Sequence, residues 1–247
     1  MMDYNVYVYS FTEKIQVWCQ GFFLAAVFGY LFYDSMSAMF FLGISYGVLN
    51  LKLAKKKRIE RRRWELHLQF REGITGLLSA LQAGYSLENA FSQAEKDLYI
   101  LYHGESFIEK EFSYIEKQLA CSRNVEELLE DMASRSGIED IRSFAEVFSI
   151  AKRMGGDMVA IIRSTVQNIN EKLEIKREIR TMVAAKKLEG EVMNFIPPVM
   201  IFYLRITSPG LLDPLYHNVQ GAFTSTILLL LYVAAMYMGR KIMELEV

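Results

Sequence analysis

The sequence predicts an all-α, polytopic membrane protein in which two transmembrane helical hairpins flank a cytoplasmic six-helix bundle. Three observations predict it. Charge is segregated: residues 52–190 hold 24 of the 28 Lys and Arg and 22 of the 29 Asp and Glu, which leaves 4 cations and 7 anions for the two ends together. A soluble globular chain seldom sorts its charges into one central block. The ends instead carry long uncharged runs on the scale of a bilayer. Finally, residues 52–190 contain no proline, since all four prolines lie at 197, 198, 209 and 214, and their apolar residues recur at helical spacing without strand-like alternation. The boundaries that follow are 1–51 for the first hairpin, 52–190 for the bundle, and 191–247 for the second hairpin with a short tail.

The first hairpin begins at Ile15. Ile15 to Tyr33 is 19 residues without a charge, about 28 Å of helix and close to the hydrocarbon thickness of a membrane. Asp34 interrupts the run, and Ser35 to Leu51 supplies 17 more uncharged residues. The short connection between them predicts two antiparallel spans. A basic cluster follows at once: Lys52, Lys55, Lys56, Lys57, Arg58, Arg61, Arg62 and Arg63. Cations gather on the cytoplasmic side of a membrane, so this cluster sets the topology. With two spans before it, the N-terminus is expected in the cytoplasm as well. Trp18 falls near the cytoplasmic end of the first span, where an indole suits the interface. The cluster is assigned to topology and anionic lipid rather than to nucleic acid.

The central helices are delimited by glycines and capping residues. Leu66, Phe70, Ile74, Leu77, Leu78 and Leu81 form one stripe, which Gly84 ends. Ser86 is placed to cap Leu87–Tyr99, and His103-Gly104 makes the next break. Phe107, Ile108, Phe112, Ile115 and Leu119 form the third stripe. Asn124 with Glu127 matches a capping box before Leu128, Leu129 and Met132, and Gly137 closes that helix. Ile138, Ile141, Phe144, Phe148 and Ala151 form a fifth stripe. Gly155-Gly156 interrupts it, and Asp157 caps a long last helix carrying Met158, Ile161, Ile162, Val166, Ile169, Leu173 and Ile179.

The second hairpin is expected from Val192–Leu204 and from Ala222–Met238, with turns at residues 207–210 and 213–214 and a loop including His217. Arg240 and Lys241 then lie inside, as the charge rule asks. Pro197-Pro198 falls within the third span, where proline removes backbone donors and makes either a fixed kink or a hinge. Arg205 is the charge embedded between apolar runs. It either snorkels to the outer interface or pairs with a carboxylate on another protein.

Chemistry-bearing motifs are missing from the sequence. It contains no phosphate-binding loop, no H-E-x-x-H and no G-x-S-x-G. His67, His103 and His217 are scattered, and Cys19 and Cys121 lie 102 residues apart in blocks of opposite character. No catalytic, cofactor or metal residue is assigned. Glu126, Glu127, Glu130 and Asp131 read as a solvated face, and Glu146, Lys152 and Arg153 as surface charges available for docking.

Ser79–Leu87 can be laid over Ile150–Met158 at an offset of 71 residues, each copy passing from helix through glycine to a capped helix. The segments Leu81-x-Ala83-Gly84-x-Ser86-Leu87-x-x-Ala90 and Phe144-x-x-x-Phe148-x-x-Ala151-Lys152-x-x-Gly155-Gly156-Asp157-Met158 resemble the type II secretion system F domain. The layout of two spans, one such domain and two spans resembles the TadB/TadC branch of that family, TadB in particular, over roughly residues 60–240. The resemblance implies a non-enzymatic platform in the cell (inner) membrane with both termini cytoplasmic. It also implies as partners a hexameric secretion ATPase, pilin subunits, and a paralogous platform protein or a second copy. The competing readings are a transporter or channel subunit, a membrane-anchored helical scaffold and an intramembrane enzyme.

Overall fold

The computed structural model describes residues 2–154, 157–208, 210–212, 216 and 218–245, without the side chains of 38, 219, 240 and 242–245. The regular elements among them are α-helices: α1 Phe11–Tyr33, α2 Met36–Gln82, α3 Leu87–Tyr102, α4 Phe107–Ala120, α5 Val125–Ser136, α6 Glu139–Met154, α7 Met158–Thr207 and α8 Val219–Leu245. They form two compact units. The first comprises Met1–Val8 and Lys56–Ile175, the second Tyr9–Lys55 and Lys176–Val247. The N-terminal residues therefore belong with the charged central segment, not with the first apolar run as the boundary at 51 implied.

The first unit is built around one hydrophobic core. α2 contributes Leu66, Phe70, Ile74 and Leu77, α3 Phe91 and Leu98, α4 Ile108, Phe112 and Ile115, and α5 Leu128, Leu129 and Met132. Ile141, Phe144 and Phe148 of α6 and Ile162, Ile169 and Leu173 of α7 complete it. Each set recurs every three or four residues, so one face of each helix is drawn inward to escape water. Leu78 and Leu81, at the edge of the α2 stripe, are only partly buried.

The helix ends follow the local chemistry. Ser86 Oγ accepts the Asn89 N–H at 3.4 Å, and Asp157 Oδ1 accepts that of Ala160 at 3.1 Å. Gly84 has φ +87° beyond the end of α2, and Gly137 caps α5 at φ +61°, a backbone region that costs a side chain little only when there is none. Asn124 occupies the N-cap of α5 but makes no side-chain cap bond, so the expected capping box is not formed there. The 155–156 glycine pair, Pro209, the 213–214 turn and His217 lie outside the described residues.

Among the described residues, two helical stretches, Phe11–Tyr33 and Gln220–Gly239, are long and apolar enough to cross a membrane. Four were expected. The uncharged start of α2, Met36–Leu51, includes residue 38, whose side chain lies outside those described, and ends at Lys52. Val192–Leu204 of α7 is bounded by Glu191 and Arg205 and extends only about 20 Å, against roughly 30 Å of hydrocarbon.

Within the second unit α1 and the start of α2 pack closely. A Cβ at Gly43 would lie 2.6 Å from the Phe22 ring, and one at Gly47 would lie 2.8 Å from Trp18 Nε1. Trp18 and Phe22 stack at 5.3 Å, so two small residues on α2 receive an aromatic ridge on α1. Asn50 Nδ2 donates to the Val17 carbonyl at 3.0 Å across the same contact. Small residues four apart are how helices approach each other in lipid, where no hydrophobic force drives them together.

Candidate functional site

In the first unit the basic cluster meets the N-terminal strap, Met2–Val8. Tyr4 is 1% exposed. Its hydroxyl donates to Glu111 Oε1 at 2.9 Å, its N–H donates to the Arg135 carbonyl at 3.1 Å, and its ring meets Phe107 edge-on. Asn5 Nδ2 donates to the Arg135 carbonyl at 3.1 Å, and Arg63 donates to Asn5 Oδ1. Arg58 Nη1 donates to the Tyr7 hydroxyl at 2.7 Å, and the Arg62 guanidinium lies 4.8 Å over the Tyr7 ring. Elsewhere in the cluster, Arg61 pairs with Glu65 at 3.0 Å and Lys56 with Glu60 at 3.9 Å, while Lys52 and Lys55 belong to the second unit.

Glu111 sits beneath the strap. Arg135 clamps it with two parallel bonds, Nη1 to Oε1 at 2.8 Å and Nη2 to Oε2 at 2.7 Å. With Tyr4 donating as well, this carboxylate is committed to structure and is not available as a base. Burial is the main cause that raises the Tyr4 phenol pKa, and the Glu111 charge and hydrogen bond add to it. A raised folded-state pKa favours the protonated phenol. The stability it confers is complete below the unfolded value of about 10 and is lost as pH rises past it. The Tyr4→Phe variant is therefore expected to lose less stability than wild type between neutral pH and pH values above about 10. Unfolding curves measured across that range check it, and parallel pH profiles would sink the assignment.

A second polar cluster is buried nearby. His67 Nε2 lies 2.9 Å from Asp140 Oδ2, and Lys172 Nζ reaches Oδ1 of the same carboxylate. His67 is thus a partnered core residue. Lys152 binds Glu126 at 2.8 Å and Arg153 binds Ser149 at 2.8 Å, so two of the charges expected to be open for docking are engaged within the chain. Burial works against it, yet the Lys152 hydrogen bond and charge hold the Glu126 carboxyl below its usual range. Among the described residues no three His, Cys, Asp or Glu side chains gather as a metal site requires. Cys19 and Cys121 are both free thiols.

In the second unit Arg205 has a partner that the sequence reading overlooked. It binds Asp34 and donates from Nη1 to the Tyr30 carbonyl at 3.1 Å, with its guanidinium 4.1 Å over the Tyr30 ring. Tyr216, whose ring lies 5.7 Å away, donates its hydroxyl to the Leu31 carbonyl at 2.7 Å. The Arg205 guanidinium is thus engaged by a carboxylate of its own chain. Asp34 holds the left-handed cap position of α1 at φ 46°, which presents its carboxylate at the helix end. In the sequence it registered only as an interruption.

Pro197 and Pro198 lie inside α7, which continues to Thr207. Pro198 has no N–H to give to the carbonyl four residues before it, Asn194. Tyr232 of α8 supplies the missing donor: its hydroxyl lies 2.6 Å from Asn194 O. The break is braced from outside the helix. Tyr232→Phe is expected to cost about 1–2 kcal/mol by leaving that carbonyl unpaired. In a Pro198→Ala background the cost is expected to shrink towards zero, because the restored N–H takes the carbonyl. A double-mutant cycle on thermal unfolding in detergent measures this, and additive losses would refute the link.

The sequence reading missed Tyr4, Asn5, Tyr7, Glu111 and Arg135. The available signal was the aromatic alternation Tyr4-Asn5-Val6-Tyr7-Val8-Tyr9 ahead of the first span. No family model, curated protein or solved structure matches this chain. Among the described residues the regular structure is all α-helical, and two helices are long and apolar enough to cross a bilayer.

Proposed function

We propose that the chain is a multi-pass platform protein of the cell (inner) membrane. It couples a cytoplasmic secretion ATPase to pilin insertion in a type IV-like (Tad/Flp) pilus or type II secretion machine. One observation carries the reading: Met1–Val8 and Lys56–Ile175 form one compact unit. If α1 crosses a membrane, the chain must cross back before residue 56. The close-packed start of α2 is the segment available for the return, and this supports a hairpin. In this reading a two-span, one-domain, two-span layout results. α7 contributes Ile162 and Leu173 to the helical core and Pro198 to the second unit.

The thiols test the topology. In a Cys19→Ser background, Cys121 is expected to resist a membrane-impermeant maleimide in intact cells and to react in inverted vesicles. Labelling in intact cells would place the head outside and overturn the reading. For the machine itself, detergent extracts are expected to retain a hexameric ATPase and a second platform protein with this chain, and its deletion is expected to abolish pili. Normal pili after deletion, or substrate-dependent flux in vesicles containing only this chain, would favour the scaffold or transporter alternatives.

A further inference from the structure

We propose that the second unit binds a phospholipid with a primary-ammonium headgroup, its acyl chain in an apolar cavity and its ammonium on Glu191. The inference rests on the membrane reading above. Helices α1, α2, α7 and α8 all line a cavity of about 350 Å³, within the range of small-ligand sites. Its walls include Leu24, Phe28, Phe195, Pro198, Val233 and Met236. Glu191 is the one charged residue among the described lining residues, and no ion pair or hydrogen bond from another described residue is found at its carboxylate. The Asn194 carbonyl is already taken by Tyr232.

An apolar space with a single open carboxylate at its edge selects an amphiphile with a cationic end. A neutral polar ligand would lose its hydration without recovering hydrogen bonds. An ammonium would form charge-assisted bonds to the carboxylate.

The test uses the full chain in membranes, with photoactivatable phosphatidylethanolamine and phosphatidylglycerol carrying the reactive group in the acyl chain. Ethanolamine lipid is expected to label peptides containing residues 24–28 and 229–236 about tenfold more than glycerol lipid, as a charge-assisted bond would give. Glu191→Gln, at an exposed position, is expected to abolish that preference without affecting folding. Val233→Trp, which fills the cavity, is expected to cut labelling at the same peptides about tenfold. Equal labelling by both lipids, a preference that survives Glu191→Gln, or crosslinks to a co-purifying membrane helix in place of lipid would each overturn the site. Failure of the membrane reading would show separately, as recovery of the chain in the aqueous fraction after detergent-free lysis.

Discussion

Arg135→Ala is expected to destabilise the first unit by about 3–5 kcal/mol, the largest single-residue effect among these variants. The Glu111 side chain is 1% exposed, and its charge is balanced by the two bonds from Arg135. Removing the guanidinium leaves a buried carboxylate with only the Tyr4 hydroxyl as donor, and it also releases the Met2 carbonyl, which Arg135 Nη1 reaches at 3.1 Å. The cost comes from the stranded charge, not from the lost attraction. The double variant Glu111→Gln/Arg135→Met is therefore expected to recover much of the loss. Trp64 packs against this core, so in a Trp18→Phe background its fluorescence reports the unfolding of this unit alone. A loss under about 1 kcal/mol would mean that water reaches Glu111.

Gly43→Leu is expected to cost about 3 kcal/mol in the second unit, because overpacking a close helix contact forces a backbone shift. A Cβ there would lie 2.6 Å from two Phe22 ring carbons, and the remaining side-chain atoms extend further. The Phe22 ring cannot easily swing aside, since Trp18 stacks on it and Phe40 meets it edge-on at 6.0 Å. The expected compensation is specific: Phe22→Ala should rescue Gly43→Leu in thermal unfolding, whereas Phe28→Ala should not. Equal rescue by both would show a general loosening of the unit.

Much of the helical architecture was legible because its signals are local. Ser86 and Gly137 mark ends through their own backbone chemistry, and the Leu66–Phe70–Ile74–Leu77 stripe declares its buried face by spacing alone. The polar clusters were not legible. Tyr4 and Glu111 are 107 residues apart, and Arg205 and Asp34 are 171 apart. No periodicity encodes which distant side chains meet. Asp34 misled because an acid inside an apolar run looks like an interruption when read alone. Gly43 and Gly47 were present as a spacing motif but were read only as part of a span, because the motif gains meaning from the facing ridge of Trp18 and Phe22.

The docked strap has a consequence for synthesis. Residues 2–8 leave the ribosome well ahead of the glutamate that anchors Tyr4, which is made 107 residues later, about 5–20 s at ordinary elongation rates. Until Glu111 and Arg135 are made, the strap has only its Arg58, Arg62 and Arg63 contacts to hold it while α1 is already emerging, so insertion is free to proceed before the clamp closes. A bulky fusion partner at Met1 would leave that early stage unhindered and obstruct the last one, when the strap must settle onto a finished head.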